Sequence, residues 1–197
     1  MKLLHLCALA TFLVAAEPGA LADTTALQFV ATFVDLCGGT HGDADHALSM
    51  ADRAGWEIPA PRALQPPALG SARWTRYDGR VLRSSRGVRV LSVSTQANPS
   101  GRDAQSCGMS DWAPHPASDQ EMALIQAALA KWVGGAPVKT DRATGFALFA
   151  FREVGGERRA LAASDPALSA DIPPVDVREV TMMRAFGKPT VIYMRWR

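Results

Sequence analysis

The stretch VREVTMMRAFGKPTVIYMRW, residues 177–196, decides the fold class. Two runs of β-forming residues, 177–185 and 190–196, flank a turn through Gly187-Lys188-Pro189, which is the pattern of an antiparallel hairpin. Alternation along the second run places three large apolar residues on one face of its strand: Ile192, Met194 and Trp196.

Hairpin patterns recur through the rest of the chain. Residues 146–154 and 157–161 flank Gly155-Gly156. Residues 74–83 carry Asp78-Gly79 at their centre, a dipeptide typical of two-residue hairpin turns. Further strands are predicted at 88–95 and 107–112. These runs together predict an antiparallel sheet.

Two segments before the sheet region have helical periodicity and predict a helical hairpin. The first, 25–36, begins with a capping box formed by Thr25 and Gln28. Its apolar residues at helical spacing are Leu27, Val30, Ala31 and Val34, and the apolar face is widened by Phe29, Phe33 and Leu36. The second runs over 43–54, with Asp43 as its N-cap.

A third helix is predicted at 118–132, where Ser118 and Glu121 form a capping box. Helices segregated from runs of hairpins indicate the α+β class. We therefore expect the N-terminal helical hairpin and this further helix to pack on an antiparallel β-sheet. Residues 23–197 are predicted to form a single α+β domain, with a Pro-rich linker at 57–70 inside it.

The N-terminal 22 residues have the pattern of a cleavable signal peptide. Lys2 precedes a nearly unbroken apolar run over residues 3–16, and Ala20-Leu21-Ala22 matches a small-x-small cleavage site before Asp23. The apolar run is shorter than the roughly 20 residues that span a bilayer. We therefore expect a periplasmic or secreted protein with no stable membrane insertion after cleavage.

The formal charge of the chain is modest. It is +2 for the chain, and removal of the leader takes away one lysine and one glutamate. Such a balance does not favour nucleic acid as a partner. The strand region is rich in arginines that mix odd and even positions, and we expect them to be solvated: Arg73, Arg76, Arg80, Arg83, Arg86 and Arg89.

Two cysteines, Cys37 and Cys107, remain after removal of the leader. In an oxidising compartment an even pair most simply forms one disulfide. The adjoining glycines, Gly38-Gly39 and Gly108, leave little bulk to oppose the approach of the two backbones. The bridge would tie the helical hairpin to the sheet.

The densest polar cluster lies at 37–46 and contains the residue types of a zinc site. Its candidate ligands are Cys37, His41, Asp43 and His46, with Cys107 or His115 to complete the set. The spacing of these residues is not a standard structural-zinc pattern. A disulfide at Cys37, followed by a loop between two helices with Asp43 as the cap of the second, also accounts for the cluster. We therefore expect no metal and no cofactor.

No hydrolase or nucleotide-binding motif stands out in the sequence, such as G-x-S-x-G, H-E-x-x-H or G-x-G-x-x-G. The favoured function is accordingly a non-enzymatic domain that binds an envelope protein or a small ligand. The alternative is a small hydrolase, with or without a metal, that uses His41, Asp43 and His46.

The early segment resembles uncharacterised exported proteins of Ala- and Arg-rich proteobacteria. The resemblance lies in Phe33-Val-Asp-Leu-Cys37, Ala47, Ala51 and Ala54-Gly55-Trp56, with Trp74 and Cys107 further on. It implies export, a disulfide and a helix–helix–sheet layout, and it brings no known activity.

The signal peptide generates the first testable prediction. Because Ala20 and Ala22 fit the small-residue pockets of signal peptidase, N-terminal sequencing of the exported protein should begin at Asp23. Retention of Met1, or a lipid on Cys7 in the apolar run, would overturn cleavage after Ala22 and the expected localisation.

Overall fold

The computed structural model describes residues 18–60, 73–97, 103–169 and 174–196, with the backbone alone at 18–23 and at Trp74. The helices are α1 (Pro18–Phe33), continued by a π-helical turn (Val34–Gly38), α2 (Ala44–Arg53) and α3 (Asp119–Val133), with a 3-10 turn at Pro166–Leu168. The strands are β1 (Arg73–Ser84), β2 (Gly87–Ala97), β3 (Asp103–Trp112), β4 (Lys139–Asp141), β5 (Phe146–Val154), β6 (Glu157–Ala160), β7 (Val177–Ala185) and β8 (Lys188–Trp196). The predicted α+β class is confirmed.

The strands form one antiparallel sheet in the order β1-β2-β3-β8-β7-β5-β4. Two short strands pair with the edge of β5 that faces away from β7: β4 pairs with the beginning of β5, and β6 pairs with its end. β3 pairs with β8, which is far from it in sequence, and this pairing joins the meander β1-β2-β3 to the hairpin β7-β8. The C-terminal hairpin that decided the fold class lies at the middle of the sheet.

The helices pack on one face of the sheet, which we call the inner face. The buried core contains α1 residues Phe29 and Phe33, α3 residues Ile125 and Leu129, and inner-face strand residues such as Tyr193. Trp132 of α3 lies among three aromatic rings, with its centroid 5.8 to 6.4 Å from those of Phe33, Phe151 and Tyr193. The aromatic cluster joins α1 and α3 to the sheet.

Local capping signals place two helices as predicted. The Asp43 carboxylate accepts a hydrogen bond from the His46 backbone N–H at the start of α2. Ser118 Oγ accepts one from Glu121 N–H at the start of α3, and Gly134 ends that helix in the left-handed conformation.

The first helix differs from its prediction. It begins at Pro18 rather than at Thr25, so the predicted Ala22–Asp23 junction lies within its first turns. Its buried residues are Ala26, Phe29, Val30 and Phe33, whereas Leu27 is 50% exposed. Burial of Phe29, Phe33 and Leu36 agrees with the predicted widening of the apolar face. Leu27 and Ala31 are exposed instead, because the helix turns its phenylalanines toward α3 and the sheet.

The predicted hairpin at 74–83 is wrong, since this segment is part of the single strand β1 and the turn follows at Ser85-Arg86. Pairing of β1 with β2 along nearly their whole length outweighs the local turn preference of Asp78-Gly79. The strand β4 was not predicted. The linker lies mostly outside the described residues, but Glu57 at its start forms a β-bridge with Val81.

The two cysteines form a disulfide in the structure. Cys37 ends the first helical segment and Cys107 lies on the inner face of β3, with their Cα atoms 5.4 Å apart and both residues fully buried. The bridge closes 70 residues of sequence. It holds the end of the first helix against the middle of the sheet.

Loss of this bridge should clearly destabilise the protein. Removing a native disulfide from an exported domain costs about 2–5 kcal/mol. We expect reductant to lower the melting temperature of the native protein and to leave that of a Cys37→Ala/Cys107→Ala variant unchanged. The bridge can be checked by mass spectrometry of unreduced protein treated with an alkylating agent. If both cysteines carry the label, the bridge does not form.

Candidate functional site

The loop between the π-helical turn and α2 carries the polar residues that the sequence singled out. Gly42 lies against the Tyr193 ring with φ +69°, and a Cβ atom there would lie 2.7 Å from a ring carbon. His41, before it, also has a positive φ, of 52°. The glycine therefore lets the loop lie directly on the core.

His41 is held by a carboxylate from β5. Its Nδ1 atom lies 2.8 Å from Glu153 Oε2, and the other carboxylate oxygen lies 3.5 Å from Arg158 Nε. The Arg158 guanidinium in turn stacks 4.5 Å from the centroid of the Trp132 ring. Burial and the nearby Glu153 carboxylate raise the pKa of Tyr193, beneath this cluster, to about 12.

The other two candidates have structural contacts. Asp43 caps α2 with one carboxylate oxygen, and the other lies 3.2 Å from Arg195 Nη2. His46 is exposed on α2. His115 belongs to a cleft beside α1, described below, rather than to the loop at 39–43. The candidate ligands of the sequence thus have separate roles.

Within the described ranges, no three His, Cys, Asp or Glu side chains are grouped as a metal ion would require. Cys37 is bonded to Cys107, so its sulfur is not a thiolate ligand. The pairing of His41 with Glu153 instead resembles the orientation of a histidine by a carboxylate in acid–base catalysis.

A cleft of about 530 Å³ lies between α1, the turn joining β1 to β2, and the segment after β3. Its apolar walls include Leu82, Ala113 and Pro114. Its polar lining consists of Thr25, Gln28, Ser84, Ser85, Arg86, Arg89, Asp111 and His115. Lys188 Nζ donates hydrogen bonds to the backbone carbonyls of Ala113 and His115, which fixes one wall.

The floor of this cleft, which we call the α1 cleft, is an ion pair with little solvent exposure. Arg89 Nε lies 3.2 Å from Asp111 Oδ2, and the two side chains are 19% and 11% exposed. The Arg89 guanidinium also reaches Thr32 Oγ1 of α1 at 3.4 Å. Burial and the Asp111 carboxylate raise the pKa of Glu121.

The mouth of the α1 cleft carries additional positive charge. Arg86 donates a hydrogen bond to Thr25 Oγ1 at 3.1 Å and, among the described residues, has no carboxylate within ion-pair distance. The cleft lining therefore holds two guanidinium groups against one carboxylate. Such a surface favours a ligand that carries negative charge.

The expectation that the strand arginines are solvated is wrong for several of them. Arg80 is 9% exposed and binds Asp52 of α2, with its Nε 2.5 Å from Oδ1. Arg76 binds Asp45 of the same helix at 2.7 Å, and these contacts lower the pKa of both carboxyls. The inner-face arginines of β1 thus attach α2 to the sheet.

A second cleft, of about 460 Å³, lies between α3 and the turn that joins β4 to β5. Its charged lining residues include Asp119 and Arg184, which pair with each other at 2.6 Å. Its polar groups are thus partly satisfied within the protein, and the α1 cleft carries the greater unbalanced charge.

Sequence reasoning missed Glu153 and Asp111, and it expected Arg89 to be solvated rather than paired in the floor of the cleft. Arg89 and Asp111 are opposite residues in the register of β2 and β3, and Glu153 meets His41 across 112 residues of sequence. No local motif marks such pairs, because strand register brings Arg89 to Asp111 and packing of the loop at 39–43 on the sheet brings His41 to Glu153. Alternation within the correctly paired strands was the one available signal.

The zinc hypothesis has a direct test. If His41 and His46 have the separate roles seen in the structure, purified oxidised protein should contain no stoichiometric zinc. A His41→Ala/His46→Ala variant should lose at most about 1 kcal/mol, since both histidines are exposed and Glu153 keeps its contact with Arg158. Stoichiometric zinc that disappears in this variant would support a metal site instead.

No protein-family model, curated protein or solved structure matches the chain. None of the helices in the described part of the chain is long and apolar enough to cross a membrane. Function is therefore inferred from the geometry and chemistry of these sites.

Proposed function

We propose that the protein is an exported, non-enzymatic binding domain that holds a small anionic ligand in the α1 cleft. The observation that carries this proposal is the arginine-lined cleft with a preformed ion pair as its floor. A volume of about 530 Å³ is within the range of small-molecule sites. Export is supported by the leader pattern and by the disulfide.

The ligand class follows from the charges. Asp111 neutralises Arg89, so Arg86 at the mouth supplies the positive charge that a ligand anion meets. Leu82 and Pro114 provide apolar surface for the remainder of the ligand. A molecule with one carboxylate or phosphate group and a short apolar body satisfies both features.

Aliphatic carboxylates are suitable probes of this proposal. Hexanoate should raise the melting temperature in a saturable way, whereas hexylammonium of the same length should not, because only the anion pairs with Arg86. Loss of a charged hydrogen bond weakens binding about tenfold or more, so Arg86→Ala should shift the hexanoate response accordingly.

Arg53→Ala is the matched control, because Arg53 is exposed on α2 and contacts Ser49. It should respond to hexanoate as the native protein does. Equal responses to the anion and the cation, or an undiminished response in Arg86→Ala, would rule out an anion site in the α1 cleft.

The second candidate function, a small hydrolase, is favoured by the contact between His41 and Glu153. With Nδ1 held by the carboxylate, Nε2 is the nitrogen available to accept a proton from a nucleophile. Hydrolysis of a p-nitrophenyl ester that is lost in both His41→Gln and Glu153→Gln would favour this function over simple binding.

A further inference from the structure

Tyr193 is fully buried, yet its hydroxyl group has no hydrogen-bond partner within the part of the chain that the structure describes. Its ring packs against those of Trp132 and Phe151, with centroids 6.4 and 6.2 Å away, and Gly42 of the loop at 39–43 lies against it. Burial of a hydroxyl without a hydrogen bond is costly. The Tyr193 hydroxyl therefore marks a polar position at the end of the aromatic core.

Arg178 is a neighbour of Tyr193 on the inner face. It lies opposite Arg195 in the register of β7 and β8, so Arg178 and Tyr193 are diagonal neighbours. Such residues lie about 7–8 Å apart, within reach of long side chains. Nη1 of Arg178 donates to the carbonyls of Val175 and Val177, but its buried Nε has no acceptor. Among the described residues, no carboxylate lies within ion-pair distance of Arg178.

Two more arginines lie at the same end of the core. The Arg158 guanidinium stacks 4.5 Å from the centroid of the Trp132 ring, and its buried Nε lies 3.5 Å from a Glu153 oxygen without forming a hydrogen bond. Arg195 Nη2 lies 3.2 Å from an Asp43 oxygen. We call Arg158, Arg178 and Arg195 the arginine cluster.

The charges of the arginine cluster are not balanced within the site. Glu153 and Asp43 offset two of the three positive charges, and His41 adds a further one only when it is protonated. All three guanidinium groups act on the Tyr193 hydroxyl, since their charges oppose the rise in its pKa that burial and Glu153 cause. A buried charge without a counter-ion is costly, and here it lies beside donors that have no acceptor.

From these contacts we propose that the arginine cluster and the Tyr193 hydroxyl bind a small tetrahedral oxyanion, of the phosphate or sulfate type, beneath the loop at 39–43. Arg178 donates from β7, Arg158 from β6 and Tyr193 from β8. A carboxylate offers two oxygens in one plane, whereas a tetrahedral oxyanion accepts hydrogen bonds from several directions. The anion supplies the counter-ion of Arg178 and the acceptor of the hydroxyl.

Arg158 can turn toward such an anion without losing a hydrogen bond. The Glu153 carboxylate lies 2.8 Å from His41 Nδ1, which is a shorter contact than its 3.5 Å approach to Arg158. Glu153 therefore keeps its better partner when Arg158 moves. The side chains of His41 and Arg158 are 58% and 26% exposed, so the anion enters from their side.

Thermal melts in sulfate at constant ionic strength test this proposal. Sulfate that replaces chloride should raise the melting temperature of the native protein in a saturable way, whereas acetate should not. Tyr193→Phe removes only the hydroxyl. Without sulfate it should melt at or above the native temperature, because the hydroxyl has no partner in the protein. It should need roughly tenfold more sulfate for the same rise.

Tyr77→Phe is the matched control, because the Tyr77 hydroxyl already bonds Ser92. This variant should melt below the native protein and keep the full response to sulfate. Sulfate also stabilises proteins without binding at a site, and this effect is common to all variants. Arg86→Ala, which alters the α1 cleft, should keep the response as well, so the result is independent of the ligand proposed for that cleft.

Arg178→Met should lose the response, because it removes the unbalanced charge and keeps an apolar stem. Arg152→Met should retain it, since Arg152 pairs with Asp176 instead. A sulfate response that survives both Tyr193→Phe and Arg178→Met would overturn the proposal, as would an equal response to acetate. A Tyr193→Phe variant that melts well below the native protein in sulfate-free buffer would also overturn it, because the hydroxyl would then have a partner without the anion.

Discussion

The bridge between Cys37 and Cys107 is the constraint on which the arrangement of the helices depends. It joins the end of the first helix to the middle of the inner face, at a point where the two backbones are 5.4 Å apart. The following residues must then pass close over the core. Gly38 allows this, because a Cβ atom there would lie 2.5 Å from the Trp132 ring. Positions for His41 and Asp43 follow directly from this path.

Charge pairs between helices and sheet complete that arrangement. Arg80 with Asp52 attaches α2 to β1, and Arg195 reaches Asp43 at the start of the same helix. Partly buried pairs stabilise little in net terms, because desolvation offsets much of their attraction. Removal of one partner is nevertheless costly, so these pairs select one position for each helix. The Arg89–Asp111 pair has the same property and also forms the floor of the α1 cleft.

The two faces of the sheet have separate chemistry. The inner face carries the aromatic core and the ion pairs that hold the helices, whereas the opposite face carries hydroxyl pairs such as Ser94 with Ser106 and Ser110 with Thr190. An antiparallel sheet permits this division, because alternate residues of each strand point to opposite faces.

The sequence by itself determined the features that depend on neighbouring residues. Asp43 and Ser118 cap helices whose first turns they adjoin, and the glycines at 155–156 and 187 mark real hairpin turns. Only the tertiary structure decided which candidate turn remained extended. Asp78-Gly79 lies within β1, because pairing with β2 along nearly the whole strand outweighs one turn preference. The same holds for the sites. The sequence singled out His41, but its contact with Glu153 depends on how the loop packs on the sheet. The contact between Arg89 and Asp111 depends on the register of β2 and β3. Such contacts are set by the total burial and pairing of the sheet, and no short stretch of sequence encodes them.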